Sequence, residues 1–291
     1  MAEQFGDPEA AIRALPLWTG AVSIAPLPGG ITNKNYLVTD SGRRAVVRIG
    51  GDIPVHGVLR FNEQAASRAA AAAGVSPKVL YAEPSLLVLD FIDGRTYVAD
   101  DVRANARRCV ELVKRAHRGI PKHIRGPTLA FNVFHVIRDY GHTLDDDGRS
   151  DHRPLVAATA SLEEKLGPID LVFGHNDLLA GNFIDDGERL WLVDWDYAGW
   201  NTPLFDLGGL ASNNGFNAQE RDALLEDYFG APPSDELRRR LQAILIASLA
   251  RETLWSMVSE TRSTIDFDYK AYTQENRARF EAALKAFMET R

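Results

Sequence analysis

Polar and apolar positions alternate through most of the first ninety residues. Residues 21–27 read as a strand, and Pro28-Gly29-Gly30 breaks it. Residues 35–39 alternate and meet the turn Asp40-Ser41-Gly42; residues 45–49 then return as a short β-branched strand. Two alternating runs around such a turn predict a hairpin. Asn62 is placed to cap a helix that runs through the alanine-rich stretch to Ala73, where Gly74 stops it. Residues 79–82 and 86–91 add two more strands. The expectation is a twisted antiparallel sheet with one packed helix.

The period changes near Asp93. Residues 100–118, 132–144 and 154–166 have helical spacing, and Pro121, Gly126-Pro127, Gly148 and Gly167-Pro168 separate them. Residues 218–229, 235–261 and 268–288 continue the helical pattern. Between the two sets lies an interruption, FGHNDLLAGNFIDDGERLWLVDWD, from Phe173 to Asp196. Its turn, DDGE, and the apolar run 190–193 predict a short hairpin ending on Asp194. The fold class expected is α+β with two lobes: a β-rich lobe over residues 1–92, a mainly helical lobe over 93–291, and a cleft between them.

Composition narrows the picture only a little. Apolar residues are 45% and charged residues 25% of the chain, as in ordinary globular proteins. The net charge of −7 disfavours nucleic acid as a partner and is compatible with a cationic substrate, though solubility alone explains it. Cys109 is the one cysteine, so no disulfide forms within the chain, which fits a cytoplasmic location; its helical context marks it as core. The stretch MAEQFGDPEA has no apolar signal region, and the apolar run 241–250 is too short to span a bilayer, so no membrane insertion is expected.

The chemistry concentrates in the interruption. Asp177 precedes Asn182 by five residues, and Asp194 ends the hairpin. Phosphoryl transfer from ATP needs a base for the acceptor hydroxyl and oxygen ligands for Mg²⁺ on the phosphates. Asp177 is the candidate base, and Asn182 with Asp194 the candidate metal pair. The pattern HxD-xxxx-N followed by a strand-end Asp is that of a protein-kinase-like core, and the chain has no GxxxxGK[ST]. His175 suits a loop brace better than proton transfer. Asp196, two residues beyond Asp194, reads equally as a site residue or a cap. Arg48 and Glu63 form a candidate phosphate grip, with Arg where protein kinases use Lys. Gly29, Gly30, Thr32 and Asn33 form a candidate phosphate loop. Glu252 and Trp255, then Tyr269 and Tyr272, mix acids with aromatics. Such a mix suits an alkylammonium, although composition alone favours these aromatics as core.

Several segments together resemble the choline/ethanolamine kinases, within the wider aminoglycoside-phosphotransferase-like group. They are PGGITNKNYLV, AVVRIGG, FNEQAASRAAAAAGVSPKVLYA, HNDLLAGNFI, LVDWDYAGWNTPLFDLGGLASNNGF and LWSMVSETRSTIDFDYKAY, in family order from Leu27 to Tyr272. The resemblance implies a two-lobed kinase fold, Mg-ATP as donor and an amino alcohol as acceptor. It implies Asp177 as base, Asn182 and Asp194 as Mg²⁺ ligands, and Arg48 with Glu63 at the phosphates. Tyr197, Trp255, Tyr269 and Tyr272 fall where the family builds its choline-binding wall, with Asp196 and Glu252 beside them. Asp206 falls where a helix-start Asp braces the catalytic loop. Two departures stand out: Glu252 occupies a position where strong quaternary-ammonium sites tend to carry a second Trp, and Asn213 or Asn214 stands near a missing acid. Other expectations for the same fold are a kinase of thiamine, an aminoglycoside or a sugar-like alcohol; from a different class, a non-catalytic nucleotide-binding protein.

Overall fold

The computed structural model describes residues 7–28, 33–263, 265 and 267–289. The alternating segments form one antiparallel sheet: β1 (Val22–Leu27), β2 (Lys34–Asp40), β3 (Arg43–Ile49), β4 (Val79–Glu83) and β5 (Leu86–Asp90). Their order across the sheet is β1-β2-β3-β5-β4. The β2–β3 hairpin is the expected one, and Asn35 lies opposite Arg48 in its register. A short N-terminal helix, α1 (Pro8–Arg13), packs Ile12 into the small core beneath this sheet, with Val38, Val47 and Val88.

Helix α2 (Arg60–Ala72) departs from expectation in two ways. Asn62 is not its cap. The helix begins at Arg60, and Asn62 is fully buried inside its first turn. The Asn62 amide donates to the Ala198 carbonyl (2.8 Å) and its oxygen accepts from Leu129 N–H (3.0 Å). A residue read as a helix start is therefore a bolt between distant segments. The alanines Ala66, Ala69 and Ala70 also join the larger core, with Val110, Val113 and Leu192, and not the core of the sheet. Small side chains let α2 approach that core closely. Gly74, at φ +70°, ends the helix region as expected.

The remainder is mainly helical. The stretch expected as one helix over 100–118 is two, α3 (Ala99–Ala104) and α4 (Ala106–Gly119), broken at Asn105. Helices α5 (Val133–Asp146) and α6 (Arg153–Glu163) follow. Helices α7 (Pro203–Asn213), α8 (Ala218–Phe229), α9 (Asp235–Arg262) and α10 (Tyr269–Glu289) close the fold. Helix α9 runs through the centre, buried from Ala243 to Ala250 and again around Trp255, and packs against α5, α7 and α10. Among the described residues no helix is long and apolar enough to cross a membrane.

Candidate active site

The site is built on short strands. Strand β6 (Arg95–Thr96) pairs with β8 (Phe183–Asp185), which forms the expected hairpin with β9 (Leu190–Leu192). Strand β7 (Val172–Gly174) pairs with β10 (Gly199–Asn201). The loop carrying Asp177 leaves β7, turns through a 3-10 helix at Ala180–Asn182, and enters β8. Val193 N–H donates to the Asn182 carbonyl (3.0 Å), which brings the two ends of the β8–β9 hairpin together. Asn182 and Asp194 therefore lie side by side although they are twelve positions apart. The Asn182 amide nitrogen donates to the Asp177 carbonyl (2.8 Å), leaving the amide oxygen as its ligand end.

Two residues here hold backbone conformations that L-residues seldom take. Asn176 has φ +65° and Asp194 φ +69°. Both are of the types that tolerate this region best. Asn176 is held in place by its amide, which donates to the Tyr197 carbonyl (2.9 Å), and by Asn201, whose amide donates to the Asn176 oxygen (3.0 Å). Asp206, in the first turn of α7, lies beneath the loop. It accepts from the N–H groups of His175 (2.9 Å) and Asn176 (2.7 Å) and pairs with His117 Nε2 (2.7 Å). These donors hold the Asp206 carboxyl below its usual range despite burial, which acts the other way. His175 donates from Nε2 to the Val193 carbonyl (2.9 Å) and packs against Trp195. Burial lowers its pKa, so the ring stays neutral. That geometry is a brace.

On the β-lobe side, five charged groups interlock. Arg48 approaches Glu63 (3.1 Å), Asp194 (2.8 Å) and Asp196 (3.0 Å). Arg60, which sequence reasoning passed over, pairs with Glu63 (2.7 Å) and Asp196 (3.0 Å). Asn33 donates to Asp196 at 3.1 Å. The three carboxylates keep Arg48 charged against the opposing effect of burial. Burial, with Asp196 adding repulsion, pushes Glu63 upward against Arg48 and Arg60. Two guanidiniums face three carboxylates. The most open member of the cluster is Asp194, with a quarter of its side chain exposed. A cation placed there, between Asp194 and Asn182, meets favourable charge.

Asp177, Asn182, Asp194, Asp196, Tyr197, Glu252, Trp255 and Tyr272 line one cavity of about 430 Å³. Arg48 and Asn33 do not line it but bond its lining carboxylates Asp194 and Asp196, and Glu63 pairs with Arg48 behind them. Tyr269 does not line it. Its ring packs edge-on behind Trp255 (5.8 Å) and its hydroxyl bonds the Ser263 hydroxyl (2.9 Å). Gly29, Gly30 and Thr32 lie outside the described residues. Burial is the main cause that pushes the Asp177 carboxyl up to about 8; Glu252, Asp194 and Asp196 add to it, and Arg251 opposes it. The far wall is Trp255, whose indole N–H donates to the Tyr197 hydroxyl (3.0 Å), and Tyr272, whose hydroxyl donates to Glu252 (3.2 Å). Arg251, also unrecognised in the sequence, pairs with Glu252 and lies 4.4 Å above the Tyr197 ring. Asn214 donates to the carbonyls of Leu210 (2.8 Å) and Leu178 (3.4 Å), and so braces the loop that carries Asp177.

A profile of the phosphotransferase enzyme family matches residues 23–244. LicA of Haemophilus influenzae is 26% identical over 276 residues, covering 90% of this chain and 79% of that protein. Ethanolamine kinase 2 of Mus musculus is 28% identical over 282 residues, covering 84% of this chain and 71% of that one. A crystal structure of a choline/ethanolamine kinase family protein from Mesorhizobium loti superposes with a TM-score of 0.80 at 30% identity. The match covers 100% of this chain and 96% of that one. The expected two-lobed α+β kinase fold and the expected kinship thus meet in the same matches, and the chain belongs to the phosphotransferase enzyme family, among its choline/ethanolamine kinase members.

Proposed function

We propose that the protein transfers the γ-phosphoryl group of Mg-ATP to the hydroxyl of a small amino alcohol, the class to which choline and ethanolamine belong. The observation that carries this reading is the shared cavity: one partly buried carboxylate, Asp177, faces the same space as the Asn182–Asp194 pair and the Trp255–Tyr272–Glu252 wall. Asp177 is the base. It orients the acceptor hydroxyl and takes its proton as the new P–O bond forms. Asn182 and Asp194 would hold Mg²⁺, which would supply charge neutralisation at the phosphates. Among the described residues no cluster of three or more His, Cys, Asp or Glu is placed to hold a metal. The donor set suits an ion that takes one or two protein oxygens and completes its shell from phosphate and water.

Arg48 stands at the phosphate side, held by Glu63 and Asp196, and Asn33 lies beside it. Gly29, Gly30 and Thr32 complete the phosphate loop in this reading. At the acceptor end, Trp255, Tyr272 and Tyr197 offer aromatic faces and Glu252 a carboxylate. A primary ammonium can donate hydrogen bonds to Glu252, whereas a trimethylated head cannot, so ethanolamine is the better fit of the two. The test is acceptor-dependent ADP release with choline, ethanolamine, thiamine and one aminoglycoside. Release with an amino alcohol, abolished by EDTA and restored by Mg²⁺, is expected. Release only with thiamine or the aminoglycoside, or activity that survives chelation, overturns the assignment.

A further inference from the structure

Arg251 is buried in the wall of the acceptor cavity, 3% exposed, one position before Glu252 on α9. Its Nη1 is engaged by Glu252. Its other two nitrogens, Nε and Nη2, are buried and have no hydrogen-bond partner. These two nitrogens form one edge of the guanidinium. Their N–H bonds run nearly parallel, and that edge matches the two oxygens of a carboxylate. The flat face is supported by the Tyr197 ring at 4.4 Å and the Phe131 ring at 5.7 Å.

Leaving a buried charged donor unpaired is costly, and native structures seldom tolerate it without a reason. The three charged groups at this end of the cavity are Asp177, Glu252 and Arg251. Glu252 already accepts from Tyr272 and Arg251 and can still take an ammonium. Asp177 awaits a hydroxyl. The Arg251 edge asks for a pair of oxygens that the protein does not provide. Both nitrogens are closed to solvent in the empty protein, so a carboxylate reaches that edge only as the side chain turns toward the cavity; the wall then meets three groups at once: ammonium, hydroxyl and carboxylate. A simple cationic alcohol supplies only two of them and places no acceptor at Arg251.

We propose that the acceptor is a small hydroxy amino acid, whose carboxylate binds the Nε–Nη2 edge of Arg251 while its ammonium meets Glu252 and its hydroxyl meets Asp177. The proposal rests on the kinase chemistry above and narrows its acceptor to an amino alcohol that also carries a carboxylate. In the reaction the acceptor oxygen forms a bond to the γ-phosphorus, the bond from that phosphorus to the bridging oxygen breaks, ADP leaves, and the hydroxyl proton passes to Asp177. The product is an O-phospho amino acid.

L-serine and ethanolamine differ by one carboxylate and make the test. Acceptor-dependent ADP release is measured with L-serine, L-homoserine, ethanolamine and choline at saturating Mg-ATP. The expected result is a kcat/KM for one of the two amino acids at least about tenfold above that for ethanolamine, because a site with a buried donor edge discriminates strongly against a ligand that leaves it unpaired. Arg251→Lys keeps the charge but loses the parallel donors. It should raise KM for the amino acid at least about tenfold more than it raises KM for ethanolamine, which leaves that edge unpaired in either protein. Equal or better turnover of ethanolamine or choline by the wild-type enzyme overturns the proposal and leaves the kinase reading standing. Failure of all four acceptors to stimulate ADP release overturns both. The wild-type comparison does not depend on any variant folding.

Discussion

The two ends of the cleft are built by opposite rules. At the phosphate end, Arg48, Arg60, Glu63, Asp194 and Asp196 are tied to one another at 2.7–3.1 Å. At the acceptor end, Arg251 keeps two buried donors without partners, Asp177 has a raised pKa, and Glu252 has room for another donor. The first arrangement is largely closed on itself: each of these charged side chains has an oppositely charged partner. The second stores unmet hydrogen-bonding and electrostatic demand, and a ligand that satisfies it gains affinity the empty protein lacks. Transfer chemistry common to a family can be fixed in advance. Selectivity for one acceptor is better built from groups that only that acceptor completes.

The sharpest way to break this contrast is at Asp177, where the two ends meet. Asp177→Ala should lower turnover by about a thousandfold or more, within the range general-base catalysis supplies. Nucleotide affinity should change little, because the base acts on the acceptor. The check pairs steady-state turnover with calorimetric titration of Mg-ATP. Turnover within about tenfold of wild type would remove Asp177 from the reaction.

Much of the phosphate end was legible in the sequence because its parts are local. Asp177 and Asn182 are on one loop, Asp194 follows the hairpin, and the β-branched run of a hairpin marked the strand that carries Arg48. The acceptor end was less legible. Arg251 looks, along the chain, like the polar stop of an apolar helix run; only the fold shows it buried against Tyr197. Asn62 has the right chemistry for a cap, and its true partners, Leu129 and Ala198, are far along the chain. The His117–Asp206 pair spans 89 positions. Helix α7 is buried nearly throughout its length, so it has no polar face to give a period. Tyr269 and Tyr272 fall together in the motif, yet the turn of α10 puts one behind Trp255 and the other in the cavity. Spacing cannot separate them without the neighbouring helix.

Trp255→Ala tests the acceptor wall with a smaller expected effect. A cation over a desolvated indole gains roughly 2 kcal/mol, or tens-fold in affinity. KM for the amine acceptor should rise by about that factor while KM for ATP stays near its wild-type value. A rise in both, or in ATP alone, would place Trp255 in the framework of the cleft.

The unmet demand at the acceptor end should also be visible as stability in the nucleotide-free protein. Asp177 ionises near 3.8 when unfolded, and burial pushes it up to about 8 when folded. A group whose folded pKa is raised contributes its full stability below the unfolded value and loses it as pH climbs through the folded value. The window is therefore about pH 4 to 8. Asp177→Asn cannot ionise and escapes the loss. Its melting temperature should match wild type at the acid end of the window. At pH 8 it should exceed wild type by at least roughly 2–4 °C, the shift that about 1 kcal/mol gives a chain near this size. An equal difference at both ends would mean that packing, and not ionisation, separates the two proteins.

The smallest expected effect separates two tyrosines three positions apart. The Tyr269 hydroxyl bonds Ser263, behind the Trp255 ring, whereas the Tyr272 hydroxyl donates to Glu252 inside the cavity. Tyr269→Phe keeps the ring against Trp255 and loses one hydrogen bond, worth about 0.5–1.5 kcal/mol of stability. Its acceptor KM should stay within about twofold of wild type, since the hydroxyl it loses bonds Ser263 outside the cavity and the ring still backs Trp255. Tyr272→Phe removes a donor that helps orient Glu252. Its acceptor KM should rise by about three- to tenfold, because a hydrogen bond to a charged group is worth more than a neutral one. Thermal melts with kinetics on both variants decide it. If Tyr269→Phe alters KM as much as Tyr272→Phe, the cavity wall extends behind Trp255, and the choline-wall position implied for Tyr269 by the sequence motif holds in spite of its burial.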